Sequence, residues 1–248
     1  MNLIDKVIEK LGYVRKDAKR GPEKDMAADP DFMRSLASCQ PFTMTSPERM
    51  FALSQAVRYV LRNRIAGDFV ECGVWRGGSS MMMALELIAA NETRDLYLYD
   101  TYEGMSEPGA EDVDLNQNSA DKLLLHSKKS NESIIWAYAT LADVRQNLGA
   151  TGYDARHIHY VEGKVEETIP ATLPGPIALL RLDTDWYEST RHELLHLFPL
   201  VVPGGVVIID DYGHWQGARK AVDEYFIQHG LFPLLHRIDY TGRIFVKR

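Results

Sequence analysis

The sequence predicts an α/β fold with a doubly wound, mostly parallel sheet, and three observations lead there. From Asp68 onward, five short apolar runs are separated by longer stretches, most with helical periodicity, the arrangement of strands joined by crossovers in one sheet. Four of the five runs finish at an acid: Glu71, Asp100, Asp183 and Asp210. The closing segment "LFPLLHRIDYTGRIFVKR" reads as two strands turned at Thr241-Gly242, an antiparallel hairpin added to one edge.

Taken in order, "MNLIDKVIEKLGYVRK" opens with a short amphipathic helix over Leu3 to Leu11, and the polar "KDAKRGPEKDMAADPD" reads as a mobile linker or arm. Residues 1–42 thus form an N-terminal helical arm and linker, ahead of a single domain over 43–248. "TMTSPERMFALSQAVRYVLRN" is a firm helix: Ser46 caps it with Pro47 in the first helical position, or Thr45 and Glu48 form a capping box. Met50, Leu53, Val57, Val60 and Leu61 share one of its faces. "DFVECG" is the first strand and "GGSSMMMALELIAAN" the helix after it; "DLYLYD" is the second strand and "HIHYVEG" the third. "IALLRLD" leads to the helix "ESTRHELLHLF", and "GGVVIID" to the helix "ARKAVDEYFIQHG". The stretch 103–156 exceeds a simple connection and reads as a lid or binding insertion, with an extra helix in "NESIIWAYATLADVRQNLG".

The formal net charge of −7 argues against a nucleic-acid partner, which requires a basic face, and against an anionic membrane surface. No apolar run reaches the roughly 18 residues that span a bilayer. Two cysteines, Cys39 and Cys72, imply no disulfide framework, and the N-terminus has no signal-peptide core, so a cytoplasmic protein is expected.

In a doubly wound sheet the parallel strands point one way, so the strand-end acids gather at the carboxyl edge, where such folds bind ligands. Asp185 and Asp211 add to them. Glu71 or Asp100 alone could merely face a helix N-terminus. Asp183, Asp210 and Asp211 crowd together at a cost in repulsion and desolvation that a cation would relieve, and hard oxygen ligands suit Mg²⁺ or Mn²⁺. Gly73, Gly77 and Gly78 make a glycine-rich turn into a helix, a weak nucleotide-cofactor signal because the spacing is not G-x-G-x-x-G. "HELLH", residues 192–196, matches a zinc-protease motif, but its helix runs away from the acid edge, so a surface helix with exposed histidines is expected. His214, beside Asp210 and Asp211, is the histidine nearest the site in sequence.

The stretches "TMTSPERM", "ECGVWRGGSS", "YDTYEGM", "LLRLDTDWYEST" and "GGVVIIDDYG" together resemble the macrocin O-methyltransferase family, over most of the chain from about Thr43. The resemblance implies a class I methyltransferase fold, a Rossmann-like seven-stranded sheet with a C-terminal antiparallel hairpin. It also implies an S-adenosylmethionine-dependent O-methyltransferase acting on hydroxyls, of sugars above all, on bacterial natural products. Carried onto this chain, Asp183, Asp210 and Asp211 would ligate Mg²⁺ (or Mn²⁺) and Asp185 would be the general base. Met44, Thr45, Glu71, Gly73, Ser79, Asp100, Gly163 and Asp183 would line the cofactor site. Where the family commonly has an aromatic after that last glycine, this chain has Lys164. The expected partner is a small, glycosylated acceptor, with homo-oligomer formation through the arm a further expectation. A catechol or phenol acceptor, a nicotinamide-dependent oxidoreductase and a non-enzymatic nucleotide-binding module are the competing readings.

Overall fold

The structure is a computed structural model and describes residues 24–130, 133 and 135–248. The helix expected over Leu3 to Leu11 lies outside these residues.

Seven strands form one sheet: β1 (Asp68–Cys72), β2 (Leu96–Asp100), β3 (Ile158–Glu162), β4 (Ile177–Leu182), β5 (Val201–Ile209), β6 (His236–Arg237) and β7 (Arg243–Val246). Their order is β3-β2-β1-β4-β5-β7-β6, as expected of the doubly wound fold, and β1 to β5 run parallel while β7 is antiparallel to both β5 and β6. All six residues of β4 are buried, because it lies at the centre with helices on both faces.

The helices are α1 (Lys24–Ala27), α2 (Pro30–Cys39), α3 (Pro47–Arg62), α4 (Gly78–Ala89), α5 (Ala120–Leu125), α6 (Leu141–Gly149), α7 (Val165–Thr168), α8 (Tyr187–His196) and α9 (Gln216–Gln228). One core layer joins α2, α3 and α4 to the sheet through Phe32, Met50, Val57, Met82 and Leu179; the other joins α8 and α9 through Leu180, Leu194, Val207 and Val222. Ser46 caps α3, its hydroxyl accepting the Arg49 amide, with Pro47 in the first helical position.

Two local expectations are corrected. The latter part of the presumed linker is helical: Asp29 caps α2 by accepting the Phe32 amide at 2.9 Å, and Phe32, Leu36 and Cys39 bury one face. So short a helix depends on tertiary packing rather than propensity, which the surrounding charges mask in the sequence. In the insertion, the expected extra helix is α6, opened by a Thr140–Asp143 capping box, and the described residues 135–140 before it are not helical. Ile135 and Trp136, upstream of that start, pack instead with Trp186 and Trp215 of the α8 and α9 N-termini.

Candidate active site

The carboxyl ends of β1, β2, β4 and β5 open on a cleft of about 240 Å³. It begins at the turn after β1, where the chain must pass close to β4: a Cβ on Gly73, at φ +83°, would meet the Asp183 carbonyl oxygen at 2.0 Å. Asp100, at the end of β2, shapes the same turn. Its Oδ2 accepts the Val74 and Trp75 amides at 2.6 and 3.0 Å, and its Oδ1 accepts the Tyr102 amide at 2.7 Å.

Of the residues singled out from the sequence, Met44, Thr45, Gly73, Asp100, Gly163, Asp183, Asp185, Asp210 and Asp211 line the cleft, together with Lys164 and His214. Glu71 and Ser79 are not on its wall. Glu71 is fully buried below it, accepting hydrogen bonds from Arg181 Nη1 at 2.7 Å and from the Ser80 hydroxyl. The Ser79 hydroxyl lies 3.9 Å from the Met50 sulfur and is also buried.

Arginines organise the acids. Arg181, on β4 and buried, reaches Glu71 and Asp183 Oδ2 through Nη1, both at 2.7 Å, and Asp210 Oδ1 through Nη2 at 2.8 Å. Arg49, from α3, pairs with the other oxygen of Asp210 and lies 3.0 Å from Asp239 Oδ2 on the β6–β7 turn. That turn is tied in by Thr241, whose hydroxyl donates to the Asp210 carbonyl at 2.7 Å. Sequence reasoning passed over both arginines. Arg181 left a signal, as the lone charge inside the apolar run "IALLRL"; Arg49 left none.

Asp183, Asp185 and Asp211 present carboxylate oxygens within 4.8 Å of one another. The four aspartates touch in two pairs, Asp183 with Asp210 and Asp185 with Asp211. Burial would raise Asp210, but Arg181 and Arg49 hold its carboxyl below the ordinary range. Burial and the neighbouring acids drive Asp183 and Asp211 well up, and burial with Asp183 and Asp210 pushes Asp185 up to about 7. Six carboxyl groups, counting Glu71 and Asp239, therefore face two guanidinium groups. That imbalance suits a hard divalent cation, as does Asp211 Oδ2, which is buried with no hydrogen-bond partner among the described residues. Asp210 differs from its fellows in having each oxygen already on an arginine. Asp185 sits at φ +68°, a left-handed conformation that its surroundings must hold.

The far wall is apolar: Trp186 and Trp215 meet edge to face at 4.9 Å and pack with Ala120, Leu123, Met105 and Ile135. The insertion is pinned over them by Asp112, whose carboxylate accepts the Tyr187 and Gly109 amides at 2.8 and 2.7 Å. No histidine joins a metal-capable group among the described residues. The histidines of "HELLH" are half-buried, not exposed as expected: His192 Nε2 lies 2.8 Å from the Ile169 carbonyl, and the two rings are 4.5 Å apart.

The family model for macrocin-O-methyltransferase matches residues 10–247. The chain is 35% identical over 216 residues, 87% of its length and 79% of the relative's, to the 8-demethyl-8-(2,3-dimethoxy-alpha-L-rhamnosyl)-tetracenomycin-C 4'-O-methyltransferase of Streptomyces olivaceus. It is 31% identical, over 81% of its length and 76% of the relative's, to the mycinamicin III 3''-O-methyltransferase of Micromonospora griseorubida. Among solved structures it resembles the O-methyltransferase NovP, at 30% identity and a TM-score of 0.72, with 83% of this chain and 82% of that one covered.

Proposed function

The chain belongs to the macrocin-O-methyltransferase family, and from that premise we propose that it methylates a sugar hydroxyl of a glycosylated natural product, using S-adenosylmethionine and a divalent cation. The observation that carries this reading is the convergence of Asp183, Asp185 and Asp211 within one cleft, between the glycine turn after β1 and an apolar wall.

S-adenosylmethionine, when bound, supplies an electrophilic sulfonium methyl group. Gly73, Asp100 and Gly163, with Met44 and Thr45, are the residues of this chain that would border it; Asp100 acts by holding the Val74 and Trp75 amides in the turn. Asp183 and Asp211 would hold Mg²⁺ or Mn²⁺, with Asp210 beside Asp183 and Asp185 beside Asp211. Such a cation supplies positive charge that makes a hydroxyl more acidic. Asp185 accepts the hydroxyl proton on a carboxylate oxygen, from its place beside Asp183 and Asp211. Arg181 and Arg49 hold the Asp210 carboxyl below the ordinary range beside Asp183. Trp186 and Trp215 exclude water and offer an apolar surface to the remainder of the acceptor.

Calorimetric titration of S-adenosylmethionine tests the cofactor assignment; saturable binding is expected. Methyl transfer to a panel of glycosides and phenols, with Mg²⁺ and with a chelator, then tests acceptor and cation. Turnover of phenols but no glycoside would replace the sugar assignment with the phenolic one, and undiminished turnover in chelator would remove the cation.

A further inference from the structure

The glutamate of the "HELLH" stretch takes no part in the chemistry above. Glu193, on α8, is 0% exposed. Its Oε1 accepts the Thr184 hydroxyl at 2.9 Å, and its Oε2 is buried with no hydrogen-bond partner among the described residues. The acids Glu166, Asp183 and Asp211 push its carboxyl up further, and the Cys72 thiol also lies against it. Burying a carboxyl group with no cation costs stability, and a leucine would fill similar space without that cost. Packing therefore does not account for a glutamate here.

What Glu193 grips does. Thr184 is the residue between Asp183 and Asp185. Its carbonyl accepts the Trp186 amide at 2.8 Å, and the Asp183 amide donates to the Cys72 carbonyl at 2.8 Å. The turn is thus fixed through the backbone at both ends, while its middle side chain is held from behind by Glu193. Asp185, immediately after, carries the left-handed φ of +68°, a conformation that relaxes unless neighbours prevent it.

We propose that Glu193 is a positioning residue: by holding the Thr184 hydroxyl it fixes the Asp183-Thr184-Asp185 turn, and with it the direction in which both aspartates present their carboxylates. The inference rests on the reading of the acid cluster as a cation site. Its role is exerted on the ligand acids, as an outer partner orients a coordinating side chain, and not on the cofactor end of the cleft.

Thr184→Val keeps the shape of the side chain and removes the donor; Glu193→Leu removes the acceptor; Glu193→Gln keeps an acceptor oxygen. Mn²⁺ affinity is read by electron paramagnetic resonance and S-adenosylmethionine affinity by calorimetry, neither of which needs an acceptor. Thr184→Val and Glu193→Leu are each expected to weaken Mn²⁺ about 10- to 100-fold, the double variant no more than either alone, and Glu193→Gln to stay near wild type. S-adenosylmethionine affinity is expected to be unchanged in all of them, which also reports that each is folded. Wild-type Mn²⁺ affinity in Thr184→Val overturns the inference, as do losses that multiply in the double variant. A wild-type protein that binds S-adenosylmethionine but no Mn²⁺ overturns the cation reading itself. Should Glu193→Leu not fold, Thr184→Val against Glu193→Gln still decides.

Discussion

Arg181 Nη2 lies 2.8 Å from Asp210 Oδ1, with the two side chains only 2% and 3% exposed. The same guanidinium serves Glu71 and Asp183, so one buried cation stands against three acids drawn from three adjacent strands or their ends. A bidentate planar group can do this; a lysine ammonium, compact and strongly hydrated, cannot replace it. The relationship explains why the Asp210 carboxyl is held below the ordinary range while burial and the neighbouring acids push Asp183 and Asp211 up.

Removing that cation leaves buried Glu71 and half-buried Asp183 without a cationic partner and Asp210 with Arg49 alone. Arg181→Met is expected to destabilise the fold by about 3–5 kcal/mol, measured by chemical denaturation. A loss below about 1 kcal/mol would mean that the network contributes little to stability.

Asp185→Asn retains the side-chain shape and loses the base. Turnover is expected to fall about 10²- to 10⁴-fold, with S-adenosylmethionine affinity essentially unchanged in calorimetry. An active variant would remove Asp185 from that role.

The raised carboxyls give the cation effect a pH dependence. In the metal-free protein, Asp185 titrates at about 7 when folded and near 3.8 when unfolded, so its contribution is present below 3.8 and is lost as pH rises through 7. Asp183 and Asp211 act in the same direction, and Asp210, lowered, acts oppositely, losing its contribution only in acid. A cation competes with protons for the raised group. The Tm increase produced by Mg²⁺ should therefore be larger at pH 8 than at pH 5.5. Equal increases at both values would show that these carboxyls are not the ligands.

Gly217, in the first turn of α9, lets the insertion approach: a Cβ there would meet Asp112 Oδ1 at 2.0 Å and the Tyr187 amide nitrogen at 3.1 Å. Gly217→Ala is expected to push Asp112 off its amides at a cost of about 1–3 kcal/mol. Faster hydrogen exchange at the Gly109 and Tyr187 amides checks this; unchanged exchange would show that the insertion is held elsewhere.

Much of the fold and part of the site are legible in the chain. Periodicity placed all five parallel strands and the terminal hairpin, since apolar runs capped by turns read the same before and after folding. The acids at the ends of β1, β2, β4 and β5 could be assigned to one edge because parallel strands share a direction. Other features had no local signature. Helix α2 escaped notice because tertiary packing, not its charged surroundings, stabilises it. The start of α6 was misplaced because Ile135 and Trp136 serve the cleft wall rather than a helix face.

What the sequence by itself determined is the order of the strands, the edge on which the acids lie and the glycine turn beside them; these follow from periodicity and strand direction. Only the tertiary structure decided what each acid does. Register sets Arg181 opposite Glu71 on one side and Ile208 on the other, within reach of Asp210 at the end of β5, and α3 swings Arg49 onto the same carboxylate. Partners 29 to 161 residues away thus separate an acid locked in ion pairs from three that converge, and no local pattern encodes distances of that kind.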